Sequence, residues 1–211
     1  MIRLRHGLPA FALALGACAS LTGKKEPFTT YAPHYAPPAA ASNATRVDWQ
    51  LAIDTPQASD ALNSTRMLVM PTPGAIETYK GGRWPDTVPL LLRGLVIHAF
   101  QDSGRITGVG AITSGLHADY ALTMDLYDFE TQYRDGAPHA VIRLYAKLTD
   151  FSINRIAAAR MFEIDAPVGG AQAADAATAF GQALDQLLPQ VVDWTLEQGQ
   201  ANRGRASAKK Q

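Results

Sequence analysis

Cysteine is almost missing from this sequence: Cys18 is the only one in 211 residues. A lone thiol cannot close an internal disulfide, so no disulfide framework organises the chain. Membrane-length apolar runs are missing as well. The apolar stretch Leu8 to Ala17 (LPAFALALGA) holds ten residues, about half of the roughly 20 that a transmembrane helix requires. Histidine is sparse. His6, His34, His98, His117 and His139 show no H-x-x-x-H spacing that would set two imidazoles on one metal, so no metal site is expected. No G-x-x-x-x-G-K-[ST] loop occurs, which excludes a built-in ATPase, and no G-x-S-x-G elbow presents a serine nucleophile; Ser114 sits in a different setting. The net charge is zero, yet residues 46 to 199 hold eleven Lys and Arg against eighteen Asp and Glu, a balance of −7. An acidic body argues against nucleic acid as a partner.

What is present begins at the N-terminus. Arg3 and Arg5 form a short positive region ahead of the ten-residue apolar run, the layout of a secretion signal spanning residues 1–17. The run closes on Leu15-Gly16-Ala17-Cys18, which resembles a lipobox: two small residues let the extended backbone enter a narrow protease site, Leu15 fills a pocket, and the Cys18 thiolate takes the lipid. Acylation with diacylglycerol and an N-acyl chain such as palmitate would consume a thiol that is otherwise a liability in an oxidising compartment. The alternative is an ordinary secretory signal cut after Ala17, leaving Cys18 free. Ala19 follows the cysteine; by resemblance to lipoproteins of double-membrane bacteria, the lack of aspartate there favours the periplasmic face of the outer membrane.

Cleavage leaves 194 residues, the size of one domain with flexible ends. Hydrophobic content of 47% and charged content of 18% are those of a globular core. Residues 18–45 are rich in Pro, Ala, Ser and Thr and read as an extended tether that resists helix and sheet. Residues 46–199 read as the folded domain, and 200–211, with four basic residues and no acid, as a solvated disordered tail; contact with anionic headgroups is the other reading of that tail.

Within the domain, Val47-Asp-Trp-Gln-Leu-Ala-Ile53 alternates as a half-buried strand, and Arg66 to Met70 suits a central one. A third strand is expected near Ala75 to Tyr79, followed by a loop from Lys80 to Asp86. A helix should then run from a Thr87 cap to Ser103-Gly104, with Leu91, Leu92, Leu95, Val96 and Ala99 as its apolar stripe. Four more strands follow: Ile106 to Ile112, Tyr120 to Leu126, Ala140 to Leu148 and Ile156 to Ile164. Turns at Asp135-Gly136 and Asp150 to Asn154 fit antiparallel hairpins. The last helix carries Ala173, Ala177, Phe180, Leu184, Leu187, Val191 and Trp194 on one face, with Pro189 expected to kink it. The expected fold is α+β: a two-layer sandwich of a mostly antiparallel sheet, about six to seven strands, with two helices packed on it.

Chemistry is scarce in this pattern. Asp125 and Asp128 fall on solvent-facing strand positions, where carboxylates keep ordinary acidity. No reaction is named by any constellation, and the chain is expected not to be an enzyme. The segment Tyr79-Lys-Gly-Gly-Arg83-Trp84-Pro-Asp86 stands apart. An Arg-Trp pair ahead of a helix buries large area and makes directional contacts, as interfaces do. Equally, Trp84 could plug the end of the core.

Several segments in order resemble the ABC-type transport auxiliary lipoprotein family: the strand Leu51 to Pro56, the strand Arg66 to Met70, Tyr79 to Trp84, the helix Pro89 to Phe100, Ala118 to Glu130, Ala158 to Phe162, and Ala179 to Trp194 after a lipobox. The resemblance implies a non-enzymatic, outer-membrane-anchored component of an MCE-type lipid transport system of the paraquat-inducible kind. It would act as adaptor or acceptor for an MCE-domain protein, through Tyr79, Arg83 and Trp84, and needs no cofactor. A homo-oligomeric ring built through the exposed faces of long hairpins is also admitted. The rival readings are a stand-alone periplasmic carrier holding a hydrophobic ligand between sheet and C-terminal helix, and a structural envelope lipoprotein. A carrier requires a continuous apolar pocket of several hundred Å³, an adaptor a packed core and an exposed patch.

Overall fold

The structure, a computed structural model, describes residues 27–33, 35–36 and 46–208, without the side chains of 206–208. The signal, Leu15, Gly16, Ala17 and Cys18 lie outside the described residues. Among the described residues nine strands and two α-helices follow one another: β1 (Thr29–Thr30), β2 (Val47–Ile53), β3 (Gln57–Ala58), β4 (Arg66–Met70), β5 (Glu77–Arg83), α1 (Val88–Ser103), β6 (Ile106–Ala111), β7 (Tyr120–Arg134), β8 (Ala137–Asp150), β9 (Arg155–Pro167) and α2 (Ala173–Ala208). The fold is α+β, as expected.

The spine of the sheet is β7. One edge pairs antiparallel with β8 along its whole length, and β8 in turn with β9. Asp135 and Gly136, both at positive φ, make the two-residue turn between β7 and β8. The other edge takes β2, β3 and β4 in series, each parallel to it: Leu51 opposite Tyr120, Gln57 opposite Asp125, Val69 opposite Thr131. Beyond these, β6 runs parallel to β2, β5 antiparallel to β4, and β1 parallel to β5. Five of eight pairings are therefore parallel, which corrects the mostly antiparallel sheet of six to seven strands. The cause is α1: it carries the chain from β5 across to β6, a crossover of the kind that parallel neighbours require.

Local signals explain the elements. In β2, Val47, Trp49, Leu51 and Ile53 are buried and Asp48 is exposed, the alternation of a strand with one covered face. Helix α1 starts after Thr87 and has Pro89 in its first turn, where the missing N–H costs nothing. It stops at Gly104, whose left-handed backbone (φ 64°) returns an N–H to the Gln101 carbonyl. Every member of the stripe from Ala173 to Trp194 on α2 is buried. That face lies across β9, β8, β7 and β5, with α1 beside it against β6. Between the layers, Phe129 stacks on Phe180 (centroids 4.4 Å) and Phe162 meets Trp194 edge-on (5.7 Å). Each such ring contributes roughly 2–3 kcal/mol by burial.

Two flanks differ from the sequence reading. The segment expected to stay clear of the sheet is strand at Thr29–Thr30, and Tyr31 and Tyr35 pack on the core. The Ala36 N–H donates to Asp185 Oδ1 on α2 (2.8 Å), so residues 29–33 and 35–36 form a strap from the β5 edge onto the helices. At the other end, α2 stays helical to Ala208. Arg203, in the expected tail, donates to Asp119 Oδ1 (3.3 Å) and lies 3.8 Å from Asp48.

Candidate functional site

Strand β5 and the residue that follows it deliver the three residues singled out in the sequence to three different places. Lys80 to Arg83 is not a loop: Gly81 takes a positive φ (68°) and the strand continues, held between β4 and β1. Gly82 lies against the first residue of α2, where a Cβ would come within 2.4 Å of the Ala173 Cβ. Only glycine lets sheet and helix approach so closely there.

Trp84 is 1% exposed. Its backbone N–H donates to the Thr65 carbonyl (2.8 Å), and its side chain lies in the core. The indole meets Phe129 (5.8 Å) and Phe180 (5.4 Å) edge-on. Of its two readings, the core plug is the one observed, and a partner contact through Trp84 is not compatible with that burial. Arg83 is exposed but already engaged: its Nε donates to Thr30 Oγ1 (3.1 Å), its guanidinium lies 6.0 Å from the Phe28 ring centroid, and its carbonyl accepts the Tyr31 N–H (2.8 Å). Arg83 thus seats the strap.

Tyr79 is half-buried and lines a half-open pocket of about 320 Å³ with Val69, Pro71, Lys80, Tyr133 and Gln172. Burial pushes its hydroxyl above the ordinary phenol value, an effect partly offset by the Thr131 hydroxyl. This pocket opens at the hairpin end of the sheet and mixes charged, amide and aromatic walls. It does not continue between the sheet and the middle of α2, where Leu184, Leu187 and Val191 are fully buried.

The remaining polar candidates are tied to neighbours. His139 Nδ1 lies 2.6 Å from Asp165 Oδ1, and the same carboxylate accepts from Arg134. Lys147 donates to Asp125 (2.8 Å), Asp128 pairs with Arg143, and Ser114 Oγ donates to the Ala111 carbonyl (2.7 Å). His98 and His117 are exposed. Among the described residues no group of three or more His, Cys, Asp or Glu is placed to hold a metal. No described helix is long and apolar enough to cross a membrane.

One surface went unread in the sequence. The β8–β9 turn exposes Phe151, Ile153 and Ile156 at 45%, 61% and 59%. A signal was there: a turn normally carries Gly, Asn, Asp, Ser or Pro, and this one places Phe151 and Ile153 among Asp150, Ser152 and Asn154.

With that geometry in place, residues 33–192 match the family of ABC-type transport auxiliary lipoprotein components. The chain belongs to that family. It is similar to the solved protein XCC0632 from Xanthomonas campestris, at 36% identity over 83% of this chain and 99% of that one, with a TM-score of 0.78. A second solved structure, of a protein described only as uncharacterised, shares the fold at 14% identity and a TM-score of 0.58, over 71% of this chain and 97% of that one. No curated protein matches the chain. Membership makes this an auxiliary lipoprotein of ABC-type transport, an envelope protein held at a membrane by its lipid.

Proposed function

We propose that the protein is a non-enzymatic adaptor or acceptor, anchored by acylated Cys18 to the periplasmic face of the outer membrane, and that it docks an MCE-domain protein of an ABC-type lipid transport system. The observation that carries this reading is the filled interior. The space between sheet and α2 is occupied by Trp84, Phe129, Phe162, Phe180 and Trp194 in ring-to-ring contact, so a carrier's apolar cavity has no room there. Apolar surface lies instead at the exposed β8–β9 turn, the arrangement an adaptor requires. The absence of any ATP-binding loop from the sequence means that energy comes from a separate ATPase. Purifying the acylated protein from native membranes tests the reading: recovery of an MCE-domain protein is expected, and bound lipid with no protein partner replaces the adaptor by the carrier.

A further inference from the structure

Three connections close one end of the domain: residues 71–76 between β4 and β5, Asp135-Gly136 between β7 and β8, and residues 168–172 between β9 and α2. Asp135 is the single charged residue in all three. The first reads Pro-Thr-Pro-Gly-Ala-Ile and ends on Ile76, which is 56% exposed. Tyr79 and Tyr133 line the pocket that opens beside it. Each has an apolar ring and a polar tip, the kind of side chain that suits a boundary between water and lipid. Charges near the three connections are few and mostly engaged. Arg134 and His139 share Asp165, and Asp175 accepts the Gln172 N–H (3.0 Å). Glu77, Lys80 and Asp135 have no ion pair among the described residues. This end is thus close to neutral and slightly acidic.

Strand register puts the lipid anchor at the same end. Thr30 pairs with Arg83, Arg83 with Arg66, and Val69, three residues further on, with Thr131. β1 therefore lies level with the middle of β7 and runs antiparallel to it, away from the three connections and toward the β8–β9 turn opposite Tyr120. At ~3.3 Å per residue, Pro27 is about 15 Å short of Asp135 along the strands and about 35 Å from the β8–β9 turn. Nine residues lead from Cys18 to Pro27, and fully extended they span at most about 30 Å. With the strands upright, a membrane holding Cys18 can meet residues 71–76 and cannot meet the β8–β9 turn. The basic end of α2 lies with that distant turn, where Arg203 donates to Asp119 Oδ1 (3.3 Å) beside Tyr120. Attraction to anionic headgroups is therefore not supplied at the anchored end.

We propose that residues 71–76, with Ile76 foremost and Tyr79 and Tyr133 beside it, rest on the lipid surface that holds Cys18, a surface of zwitterionic headgroups. The proposal rests on acylation of Cys18 and goes beyond the adaptor reading, because it fixes which end of the domain faces the membrane and leaves the β8–β9 turn pointing away from it. The anchor makes this contact intramolecular, so a shallow uncharged surface too weak to recruit a free domain is enough to seat a tethered one. A slightly acidic end gains nothing from anionic lipid, whose surface potential attracts basic segments.

Cys18 is the sole cysteine and acylation consumes it, so one introduced cysteine takes one label. The full acylated chain, carrying a fluorophore at Thr72→Cys or at Ile153→Cys, is placed in vesicles of phosphatidylethanolamine and phosphatidylcholine with nitroxide lipids as quenchers. Both positions are exposed. The expected result is strong quenching at 72 and little at 153, unchanged or weaker when part of the lipid is anionic. Adding Ile76→Asp removes the burial of a half-exposed isoleucine and is expected to lower the ratio of seated to lifted domain about fivefold; thermal melting checks that the fold is kept. No quenching at 72, equal or stronger quenching at 153, quenching at 72 that needs anionic lipid, or quenching that Ile76→Asp leaves unchanged overturns the proposal. Flotation separates this from failure of the anchor. A chain that floats with the vesicles yet is not quenched at 72 keeps its lipid and loses only this proposal, whereas one that does not float loses both.

Discussion

Gly199 of α2 lies flat against the indole of Trp49 on β2: a Cβ at position 199 would sit 2.5 Å from Trp49 Cζ2. The contact pins the far end of the helix to the start of the sheet. Tyr120 reinforces it, meeting Trp49 edge-on at 5.0 Å and donating its hydroxyl to the Gly199 carbonyl (3.2 Å). In a free helix Gly→Ala gains about 1 kcal/mol. Here overpacking costs about 1–3 kcal/mol, and because the atom met is part of a fully buried ring, the cost wins. Gly199→Ala is expected to lower the urea midpoint. Gly94→Ala, in α1 with no atom within 4 Å of its Cβ, is expected to leave it unchanged or raise it. Equal shifts in the two variants would contradict the close approach.

Trp84 and Arg83 are adjacent in sequence and opposite in consequence. Trp84→Ala removes a ring packed between Phe129 and Phe180 and is expected to cost about 3–5 kcal/mol of unfolding free energy. Arg83→Ala loses an exposed hydrogen bond and a long cation–π contact, together under about 1 kcal/mol. Denaturant titration of both separates a core plug from a surface contact. A Trp84→Ala protein as stable as its parent would return Trp84 to the interface.

Much of this architecture was legible locally. The alternation in Val47–Ile53, the Thr87 and Gly104 boundaries of α1, and the Asp135-Gly136 turn each state a local rule that the fold obeys. What escaped depends on distant residues. β2, β3 and β4 line up parallel along β7 across tens of residues of intervening chain, and nothing in a five-residue strand announces its neighbour. Gly81-Gly82 reads as a loop because glycine usually marks one, yet Gly82 is needed for the approach of Ala173. Prolines made this segment look free of the sheet, but among the described residues Thr29 and Thr30 pair there, at an edge where such a segment is tolerated. For the candidate site, Tyr79, Arg83 and Trp84 were visible as unusual residues. Their separation into pocket, strap and core depends on the strand that carries them.

Glu130 and Asp150 titrate in opposite directions. Glu130, 5% exposed on β7, is pushed above the usual carboxyl value by burial, partly offset by hydrogen bonds from Gln132 and the Phe129 N–H. A carboxyl raised in the folded state holds its proton longer than the unfolded chain does. Its contribution is full below the ordinary value of 4.5 and is lost as pH rises through the folded value. Burial also acts to raise Asp150, but hydrogen bonds from Ser152, Asn202 and the Ile153 backbone overcome it and hold the carboxyl below 3.8. Its contribution is present above that value and is lost as pH falls through the folded one. Relative to the parent, Glu130→Gln is therefore expected to gain stability between about pH 4 and pH 7, and Asp150→Asn to recover as pH drops below about 4. Unfolding midpoints across that range check both signs, and profiles parallel to the parent's would refute them.

The strap offers a test of how the N-terminal segment is held. The Asp185 carboxylate on α2 receives the Ala36 N–H (2.8 Å), while the Tyr31 N–H bonds to the Arg83 carbonyl (2.8 Å). Tyr35 sits between the helices with its hydroxyl raised by burial first and then by Asp102 and Asp185. A hydrogen bond to a charged acceptor contributes about 1.5–3 kcal/mol, and 1.4 kcal/mol is a tenfold change in an opening constant. Asp185→Ala is thus expected to speed amide exchange at Ala36 by about tenfold or more, with a smaller effect at Tyr31 and none in β7 and β8. Position 185 is exposed, so global stability should move little. Uniform acceleration through β7 and β8 would show that the strap opens only with the whole domain, and unchanged exchange at Ala36 would show that Asp185 does not hold it. The expected local response makes the strap a separately opening unit, held at one end by the pairing of Thr29 and Thr30 with β5 and the Tyr31 N–H, and at the other by the Ala36 N–H on Asp185.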